Sequence, residues 1–258
     1  MLVCAVDAET IGRCEADALA RNVDLLLRVA PETKLPDSAW TAHDVAAHLV
    51  SVIGRYLKPD RKLPASPREV DSVNDAEMRE FDSATMGELV GRLRSRSAKY
   101  AAFWPDLPVE MVLPISIRAG VDLDVAAIRS NWLSELLIHG RDVALAAGEE
   151  WPLDDRSCLL TLRLLAYMLP SYLRAGGQGD ATLAVAPDGG APFSLRLSDG
   201  GAQMQRGAAA DGDRLTGSPA ALVLLFYGRI GLAEAQRLGV TTSDADRVQL
   251  ILDRFEKP

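Results

Sequence analysis

The sequence predicts an α+β protein with an N-terminal four-helix bundle over residues 1–150 and a small α+β domain over residues 151–258. Two observations lead to this prediction. The first part contains long segments with apolar residues at three- and four-residue steps, which is typical of amphipathic helices. After residue 180 the segments become short and alternating, with Gly and Asp between them, which is typical of strands. A length of 258 residues is sufficient for two hydrophobic cores.

Four helices are predicted in the first domain, over residues 8–31, 42–57, 86–103 and 122–147. The second begins after Thr41, a good N-cap, with Asp44 three residues later in a capping-box arrangement. The fourth is expected to end at Gly148. Residues 59–82 are rich in Pro, Asp, Ser and Arg and are expected to form a long connection with at most short helical pieces. Four main helices with one long crossover suggest a four-helix bundle.

The second domain is predicted to begin near "WPLDD", residues 151–155. One helix is expected over residues 155–173. Three segments that follow, "ATLAVAP", "FSLRLSDGG" and "AQMQRG", are predicted to be strands of a meander. Ser218 and Pro219 then form an N-cap and first-turn pair that begins a helix over residues 219–228. A last helix is predicted over residues 243–255, which completes a small α+β domain.

Composition excludes several classes of function. The formal net charge is −8 and no dense Lys/Arg run occurs, which argues against a nucleic-acid partner. The longest apolar run, residues 158–170, contains Arg163 and is too short to cross a bilayer. Three irregularly spaced cysteines suggest neither a disulfide framework nor a zinc-binding pair, and we expect them to be inert core residues. The N-terminus lacks the features of a secretory signal, so a cytoplasmic location is expected.

The segment "SELLIHGRDVA", residues 134–144, places Glu135 and His139 four residues apart. At 100° per residue both project with the apolar Trp132, opposite a polar stripe that includes Ser130 and Ser134. A buried carboxylate is costly unless a partner compensates its charge. Either a hydrogen bond from protonated His139 or a metal ion held by both residues would do so, although a Glu/His pair at this spacing can also simply stabilise a helix.

A metal site would need a further ligand from another helix. The chain has 3 histidines, and the other two, His43 and His48, lie on the second predicted helix about 140° apart. Only one of them can face a given site, and the helical wheel does not choose between them. His43 lies in the first turn, where side chains are commonly solvated, whereas His48 lies in mid-helix. This difference favours His48.

Two segments of the first domain, "DSAWTAHDVAAHLV" and "SELLIHGRDVA", resemble the mycothiol-dependent maleylpyruvate isomerase family, within the wider DinB-like metalloprotein superfamily. The shared pattern is a Trp, a His about eight residues later in "HL", and Glu-x-x-x-His followed by Gly-x-Asp. It is present here from Trp40 to Asp142. The segment "RLTGSPAALVLLFYGRI" is similar to the sterol-carrier-like C-terminal domain of that family. The resemblance therefore covers nearly the whole chain and both domains in order.

The resemblance implies a zinc ion bound by His48, Glu135 and His139. Such a ligand set leaves one coordination position open, as in catalytic zinc sites, and it could also hold iron or nickel. Mycothiol is implied as the thiol cosubstrate. The expected function is that of a zinc- and mycothiol-dependent isomerase or S-transferase, acting on a small electrophilic substrate such as a maleylpyruvate-like unsaturated acid.

Two further residues have alternative interpretations. Asp142 would lie on the face of His139 and could orient that imidazole, or it could be an ordinary surface residue. Arg229, in "FYGRI", could be a catalytic-site residue that binds a substrate carboxylate, or a structural residue at a helix C-terminus. The alternative for the whole protein is a non-enzymatic small-molecule or protein-binding protein with a structural or vestigial metal site.

Overall fold

The computed structural model describes residues 3–36, 38–58, 67–104, 107–113, 123–174 and 179–256, without the side chains of residues 67, 68 and 71. The chain divides into two compact units, Asp7–Pro152 and the combination of Met1–Val6 with Leu153–Pro258. The first residues, which the sequence places in the first domain, thus belong to the second unit. There Val3 is buried, and its carbonyl accepts a hydrogen bond from the amide of Ala191.

The unit Asp7–Pro152 is helical. Its described helices are α1 Ala8–Arg28, α2 Ala42–Tyr56, α3 Pro67–Arg79, α4 Met86–Ala101 and α5 Val125–Ala146. A short antiparallel pair of strands, β1 Val112–Leu113 and β2 Leu123–Asp124, precedes α5. Helices α1, α2, α4 and α5 form the predicted bundle, in which α1 packs on α5 and α4 while α2 packs on α4 and α5. The metal-ligand candidates lie on α2 and α5.

The predicted connection over residues 59–82 is wrong in one respect, because it contains the 13-residue helix α3. This helix is held by tertiary contacts that its polar composition does not reveal. Arg55 of α2 donates to Oε2 of Glu77 at 2.7 Å and also to Asn74, and Met78 is buried. Residues 59–66 of the connection lie outside the described residues.

The predicted start of α2 and the predicted C-terminus of α5 are confirmed. Thr41 accepts a hydrogen bond from the amide of Asp44, and Asp44 accepts one from the amide of Thr41, which completes a capping box. Helix α5 ends just before Gly148, which has a φ of 70°, a conformation that L residues with a side chain adopt at a cost. These local signals fix the ends of the two helices that carry the candidate ligands.

The polar stripe predicted opposite Glu135 is not a solvent-exposed face. Ser130 and Ser134 are buried, and their hydroxyls donate to backbone carbonyls of α5 itself, at 2.8 Å to Ala126 and 2.8 Å to Asn131. Small hydroxyl side chains that satisfy their own hydrogen bonds in this way can be packed like alanine. Helix α5 is therefore buried on nearly all sides, and its polar periodicity does not mark the surface.

The second unit combines helices with a mixed sheet. Helix α6 Asp155–Met168 continues into a 3-10 turn at Leu169–Tyr172. The sheet contains β3 Ala181–Pro187, β4 Phe193–Ser198, β5 Gly201–Arg206, β6 Asp213–Gly217 and β7 Thr241–Thr242, in the order β5-β4-β3-β6-β7. The remaining helices are α7 Pro219–Phe226, α8 Leu232–Arg237 and α9 Ala245–Leu252. The predicted α+β class is confirmed.

The meander predicted for β3, β4 and β5 is confirmed by their antiparallel pairing. The sequence patterns do not predict β6 and β7. Strand β6 pairs with β3 in parallel, so it continues the sheet on the far side of the meander. The predicted cap of α7 is confirmed, because the Ser218 hydroxyl accepts from the amide of Ala221 and Pro219 occupies the first turn. None of the described helices is both long and apolar enough to cross a membrane.

Candidate metal centre

His48, Glu135 and His139 converge on one point between α2 and α5. Nε2 of His48 lies 3.1 Å from Oε2 of Glu135, and Nε2 of His139 lies 3.3 Å from the same oxygen. The possible ligand atoms of the three residues all lie within 4.8 Å of one another. The structure therefore brings together the three side chains that the family resemblance indicates.

Helix packing explains the convergence. Glu135 and His139 are one turn apart on α5, so they share a face and lie at neighbouring heights along the helix. His48 reaches the same face from mid-α2 and is only 3% exposed. Side-chain exposure is 23% for Glu135 and 14% for His139. The cluster is thus largely shielded, and it keeps partial access from solvent on the Glu135 side.

His43 is held elsewhere. Its Nε2 lies 2.8 Å from the carbonyl oxygen of Ala84, in the turn that precedes α4. Because His43 and His48 project about 140° apart around α2, only His48 faces α5. This placement agrees with the sequence-based preference for His48, which rested on its mid-helix position.

Trp40 packs against both imidazoles. Its ring centroid lies 5.0 Å from that of His48 and 5.7 Å from that of His139, the latter in a stacked arrangement. The loop that carries Trp40 is closed on itself by a hydrogen bond from the amide of Leu35 to the Trp40 carbonyl at 3.0 Å. The family pattern includes this Trp, but the sequence does not reveal its contact with both rings. Trp40 restricts the rotation of the two imidazoles.

The environment sets the protonation states of the cluster. Burial lowers the pKa of His48, which the hydrogen bond with Glu135 only partly opposes. Burial would raise the pKa of Glu135, yet the hydrogen bonds with His139 and His48 outweigh it and lower that pKa well below its usual range. A neutral imidazole at His48 and an ionised carboxylate at Glu135 are the forms that bind metal ions.

The distances fit a metal ion as well as they fit hydrogen bonds. Bonds of about 2.1 Å at tetrahedral angles separate two ligand atoms by about 3.4 Å, close to the observed spacing of both Nε2 atoms from Oε2. Two imidazoles and one carboxylate are also the donor set of many catalytic zinc sites. The three residues therefore fit the metal that the resemblance implies.

In each imidazole, Nε2 faces Glu135 and Nδ1 is the nitrogen that remains for a second contact. Nδ1 of His139 lies 3.8 Å from Oδ2 of Asp142, and the Asp142 side chain is 13% exposed. Asp142 is therefore half-buried and close to His139, but 3.8 Å is too long for a hydrogen bond, and its role in orienting that imidazole stays a prediction. Nδ1 of His48 and Nδ1 of His139 are both buried, and neither has a hydrogen-bond partner within the described residues.

Asn131 and Tyr56 extend the polar face of α5 and α2, and the family pattern does not include them. The side-chain amide of Asn131 donates to the Tyr56 hydroxyl at 2.6 Å, and both residues are half-buried. Asn131 lies four residues before Glu135, so it continues the same helical face by one turn. That spacing is the signal in the sequence from which it could have been found.

Arg229 lies in the second unit, two residues after α7 ends at Tyr227 as C-cap. Its guanidinium donates to the carbonyl of Tyr227 at 3.2 Å, and its amide donates to the carbonyl of Leu224 at 2.8 Å. Both contacts are local and complete the C-terminus of α7, as in the structural interpretation of this residue. A role for Arg229 in binding substrate stays a prediction.

Neither a protein-family model nor a curated protein sequence matches this chain. Among solved structures, a histidine-to-alanine mutant of the mycothiol-dependent maleylpyruvate isomerase aligns with a TM-score of 0.56 and 15% identity, over 92% of this chain and 93% of that chain. A second structure of the mycothiol-dependent maleylpyruvate isomerase aligns with a TM-score of 0.54 and 16% identity, over 92% and 93% of the two chains. The resemblance noted from the sequence is thus confirmed at the level of the fold.

Proposed function

We propose that this protein is a metal- and mycothiol-dependent isomerase or S-transferase that acts on a small electrophilic substrate, such as a maleylpyruvate-like unsaturated acid. The observation that carries the proposal is the convergence of Nε2 of His48 and Nε2 of His139 on one carboxylate oxygen of Glu135. The metal expected is zinc, although iron or nickel would suit the same donors.

The three side chains would hold the metal through two neutral nitrogens and one carboxylate oxygen. With three protein ligands, a tetrahedral ion retains one position for an exogenous group. A metal ion bound there would supply a positive charge that lowers the pKa of a thiol and keeps it as a nucleophilic thiolate at neutral pH.

Other residues of the chain would orient and enclose the site. Trp40 stacks on His139 and forms an aromatic wall beside both imidazoles. Asp142 lies 3.8 Å from Nδ1 of His139. If it moved into hydrogen-bond distance when a metal binds, it would hold that imidazole in the tautomer whose Nε2 is free to bind metal. Asn131 lies about 6 Å along α5 from Glu135 and is hydrogen-bonded to the Tyr56 hydroxyl of α2, so the two offer neutral polar groups that could contact an oxygen of the substrate.

The surroundings of the cluster favour thiol chemistry over hydrolysis. A metal-dependent hydrolase needs a general base within hydrogen-bond reach of the attacking water. His43 is bonded to the Ala84 carbonyl on another side of α2, and Asp142 faces His139. The two imidazoles that remain are themselves the proposed ligands. A soft sulfur nucleophile requires no such base, because it is already ionised.

The structural neighbours add independent support. The two aligned structures are of the mycothiol-dependent maleylpyruvate isomerase, whose name specifies both the thiol and the reaction class. They share the fold of this chain over more than nine-tenths of its length. In an isomerase the thiol would add to the substrate and leave again, whereas in a transferase the thiol adduct would be the product.

The proposal is tested by measuring isomerisation of maleylpyruvate, and consumption of thiol, by the purified protein with mycothiol, with glutathione or with no thiol. We expect activity with mycothiol only, loss of activity on chelation, and recovery when zinc is restored. The same assays with His43→Ala should match the wild type, since His43 lies outside the cluster. Activity that persists without thiol or after chelation would contradict the proposal, and a chelation-insensitive ligand-binding function would support the non-enzymatic alternative.

A further inference from the structure

A cavity of about 550 Å³ lies within the helical unit, between α1 and α4, with α5 as its floor. None of His48, Glu135 and His139 lines it, so this α1–α4 cavity is separate from the candidate metal centre. Its volume is in the range of pockets that hold small organic ligands, about 300–1,000 Å³.

The floor of the α1–α4 cavity carries two charged residues whose opposite charges cancel. Arg129 of α5 is 4% exposed and Glu15 of α1 is 6% exposed, and the two form a buried ion pair. Nε of Arg129 lies 3.2 and 3.3 Å from the two carboxylate oxygens, and Nη1 donates to the Ala8 carbonyl at 3.1 Å. The exposed Glu9 and Arg94 add one charge of each sign at the rim. A lining with no net charge favours a neutral ligand over an ionic one.

Three lining residues, Ser97, Tyr100 and Trp104, carry buried polar groups without a hydrogen-bond partner in the described part of the chain. Ser97 is 5% exposed and Trp104 is 3% exposed, and neither the hydroxyl oxygen of Ser97 nor Nε1 of Trp104 has a hydrogen-bond partner in the described part of the chain. The indole N–H is a donor only. A buried donor that stays unsatisfied costs free energy, which a hydrogen-bond acceptor on a ligand would recover.

The remaining walls are aromatic or small. The ring of Tyr100 lies 5.1 Å from that of Trp104 and 6.3 Å from that of Trp132. The three rings pack edge to face against one another and are at most 3% exposed, so they form a rigid, mainly apolar wall of the cavity. At the entrance Ala16 of α1 and Ala98 of α4 are exposed, and their short side chains leave the cavity open between the helices.

From these features we infer that the α1–α4 cavity binds a neutral, mainly apolar small molecule that carries a carbonyl oxygen, independently of the metal centre. The aromatic residues would form its apolar wall, and the unpaired donors of Trp104, Ser97 and Tyr100 would be available to hydrogen-bond its oxygen. The paired Arg129 and Glu15 would disfavour a charged ligand, because a new ion would compete with an already satisfied pair.

The experiment uses 6-propionyl-2-dimethylaminonaphthalene, a neutral aromatic ketone whose emission moves to shorter wavelength in an apolar site. We expect saturable binding at about one probe per chain. Ala16→Phe should fill the entrance and weaken binding by about tenfold or more, equivalent to about 1.4 kcal/mol. Ala20→Phe is the matched control, because Ala20 is exposed on the same helix and does not line the cavity, so probe affinity should stay at the wild-type value.

A second pair of measurements tests the chemical class. Trp104→Phe keeps an aromatic ring but removes the N–H donor, so it should weaken binding of the ketone by about threefold to tenfold. It should not weaken binding of the 6-propyl analogue, which has no oxygen to accept the hydrogen bond. Treatment of the wild type with a chelator should leave probe binding unchanged, and Ala16→Phe should keep the wild-type metal content.

The inference is overturned by any of three results. In the first, Ala16→Phe and Ala98→Phe both keep the wild-type circular dichroism spectrum and bind the probe as tightly as the wild type. In the second, the 6-propyl analogue or the anionic anilinonaphthalene sulfonate binds the wild type as tightly as the ketone. In the third, chelation abolishes probe binding, which would place the probe at the metal centre.

Discussion

Nε2 of His48 lies 3.1 Å from Oε2 of Glu135, although 87 residues separate the two in the sequence. Nε2 of His139 approaches the same oxygen to 3.3 Å. This geometry is compatible with a hydrogen-bonded triad and with three corners of a metal coordination sphere. The two interpretations differ in what each substitution does to metal content, so they can be separated by experiment.

The first prediction concerns metal stoichiometry. The purified protein should contain about one zinc ion per chain, as expected for a site with three protein ligands. His48→Ala and His139→Ala should each lower this content sharply, because each removes one ligand. The measurement is elemental analysis by mass spectrometry after gel filtration.

His43→Ala is the matched control for that prediction. It removes an imidazole from the same helix, but one whose Nε2 is bonded to the Ala84 carbonyl at 2.8 Å. Metal content should therefore stay at the wild-type level. If His43→Ala empties the site while His48→Ala leaves it full, the assignment of His48 is wrong.

The site was predictable from sequence only in part. The spacing of Glu135 and His139 on α5 follows from helix periodicity, and the choice of His48 followed from its mid-helix position and from the family pattern. The contacts of Trp40 with both imidazoles could not be predicted, because they depend on how the loop before α2 folds over the cluster. The burial of Asp142 beside His139 is likewise a tertiary property that helical spacing leaves open.

The second prediction concerns the charge of Glu135. Glu135→Gln keeps the size of the side chain and its reach toward His48 and His139, but it removes the anionic donor. Zinc affinity should fall by about tenfold or more, since even residues that only support a ligand change metal affinity by about that factor. Competition with a chromogenic chelator would measure the change. If zinc affinity is unchanged in Glu135→Gln, Glu135 is not a metal ligand and only stabilises the helix.

In the fold, the elements with strong local signals were predictable and those held by long-range contacts were not. The capping box of Thr41 and Asp44 marks the start of α2 within the sequence itself. Helix α3, by contrast, depends on Arg55 reaching Glu77 from another helix. Strand β6 pairs in parallel with β3, so its partner lies beyond the local sequence, and no turn signal marks such a pairing.

The third prediction concerns Gly140, which follows His139 on α5. A Cβ atom at this position would clash with the Trp151 ring and would lie 2.9 Å from Oδ1 of Asn22. Gly140→Ala should therefore lower the free energy of unfolding by about 1–3 kcal/mol through overpacking. It should also loosen the face of α5 that carries His139. Urea denaturation followed by circular dichroism measures the first effect, and zinc affinity reports the second.

Gly91→Ala is the control for Gly140→Ala. Gly91 lies inside α4 and is exposed, and a Cβ atom added there would meet no neighbouring side chain of the described residues within 4 Å. The same substitution there should raise the free energy of unfolding by about 0.5–1 kcal/mol, because alanine is the better helix former. If the two substitutions change the free energy of unfolding equally, close packing is not the reason for a glycine at position 140.

The fourth prediction concerns the thiol of Cys158 in α6. Burial raises the pKa of this thiol far above its ordinary value, and the carboxylates of Asp154 and Asp155 add to the effect. An aromatic disulfide reagent at pH 8 should therefore modify Cys158 only after the protein is unfolded in urea. Rapid modification of the native protein, lost in Cys158→Ala, would contradict the inert role expected for this residue.

The raised pKa of the Cys158 thiol also makes the free energy of unfolding depend on pH. The unfolded thiol loses its proton near a pH of about 8.5, while the folded thiol retains it, so the folded state binds more protons above that pH. Stability must then fall as pH rises through this alkaline range. The loss between about pH 8 and pH 10 should be smaller in Cys158→Ala than in the wild type, measured by urea denaturation of both proteins.

The last prediction concerns the thiol cosubstrate. The cluster is bordered by Trp40 and largely buried, and it has no free imidazole among the described residues to serve as a general base. Such surroundings suit a soft sulfur donor better than a hydrolytic water. In the cobalt-substituted protein, mycothiol should therefore produce a sulfur-to-metal charge-transfer band in the near ultraviolet, and His139→Ala should lose that band. The wild-type zinc protein should hydrolyse neither esters nor amides. A thiol that binds without perturbing the cobalt spectrum, or ester hydrolysis in the absence of any thiol, would contradict the proposed isomerase or transferase, because both reactions require the sulfur to lie next to the metal.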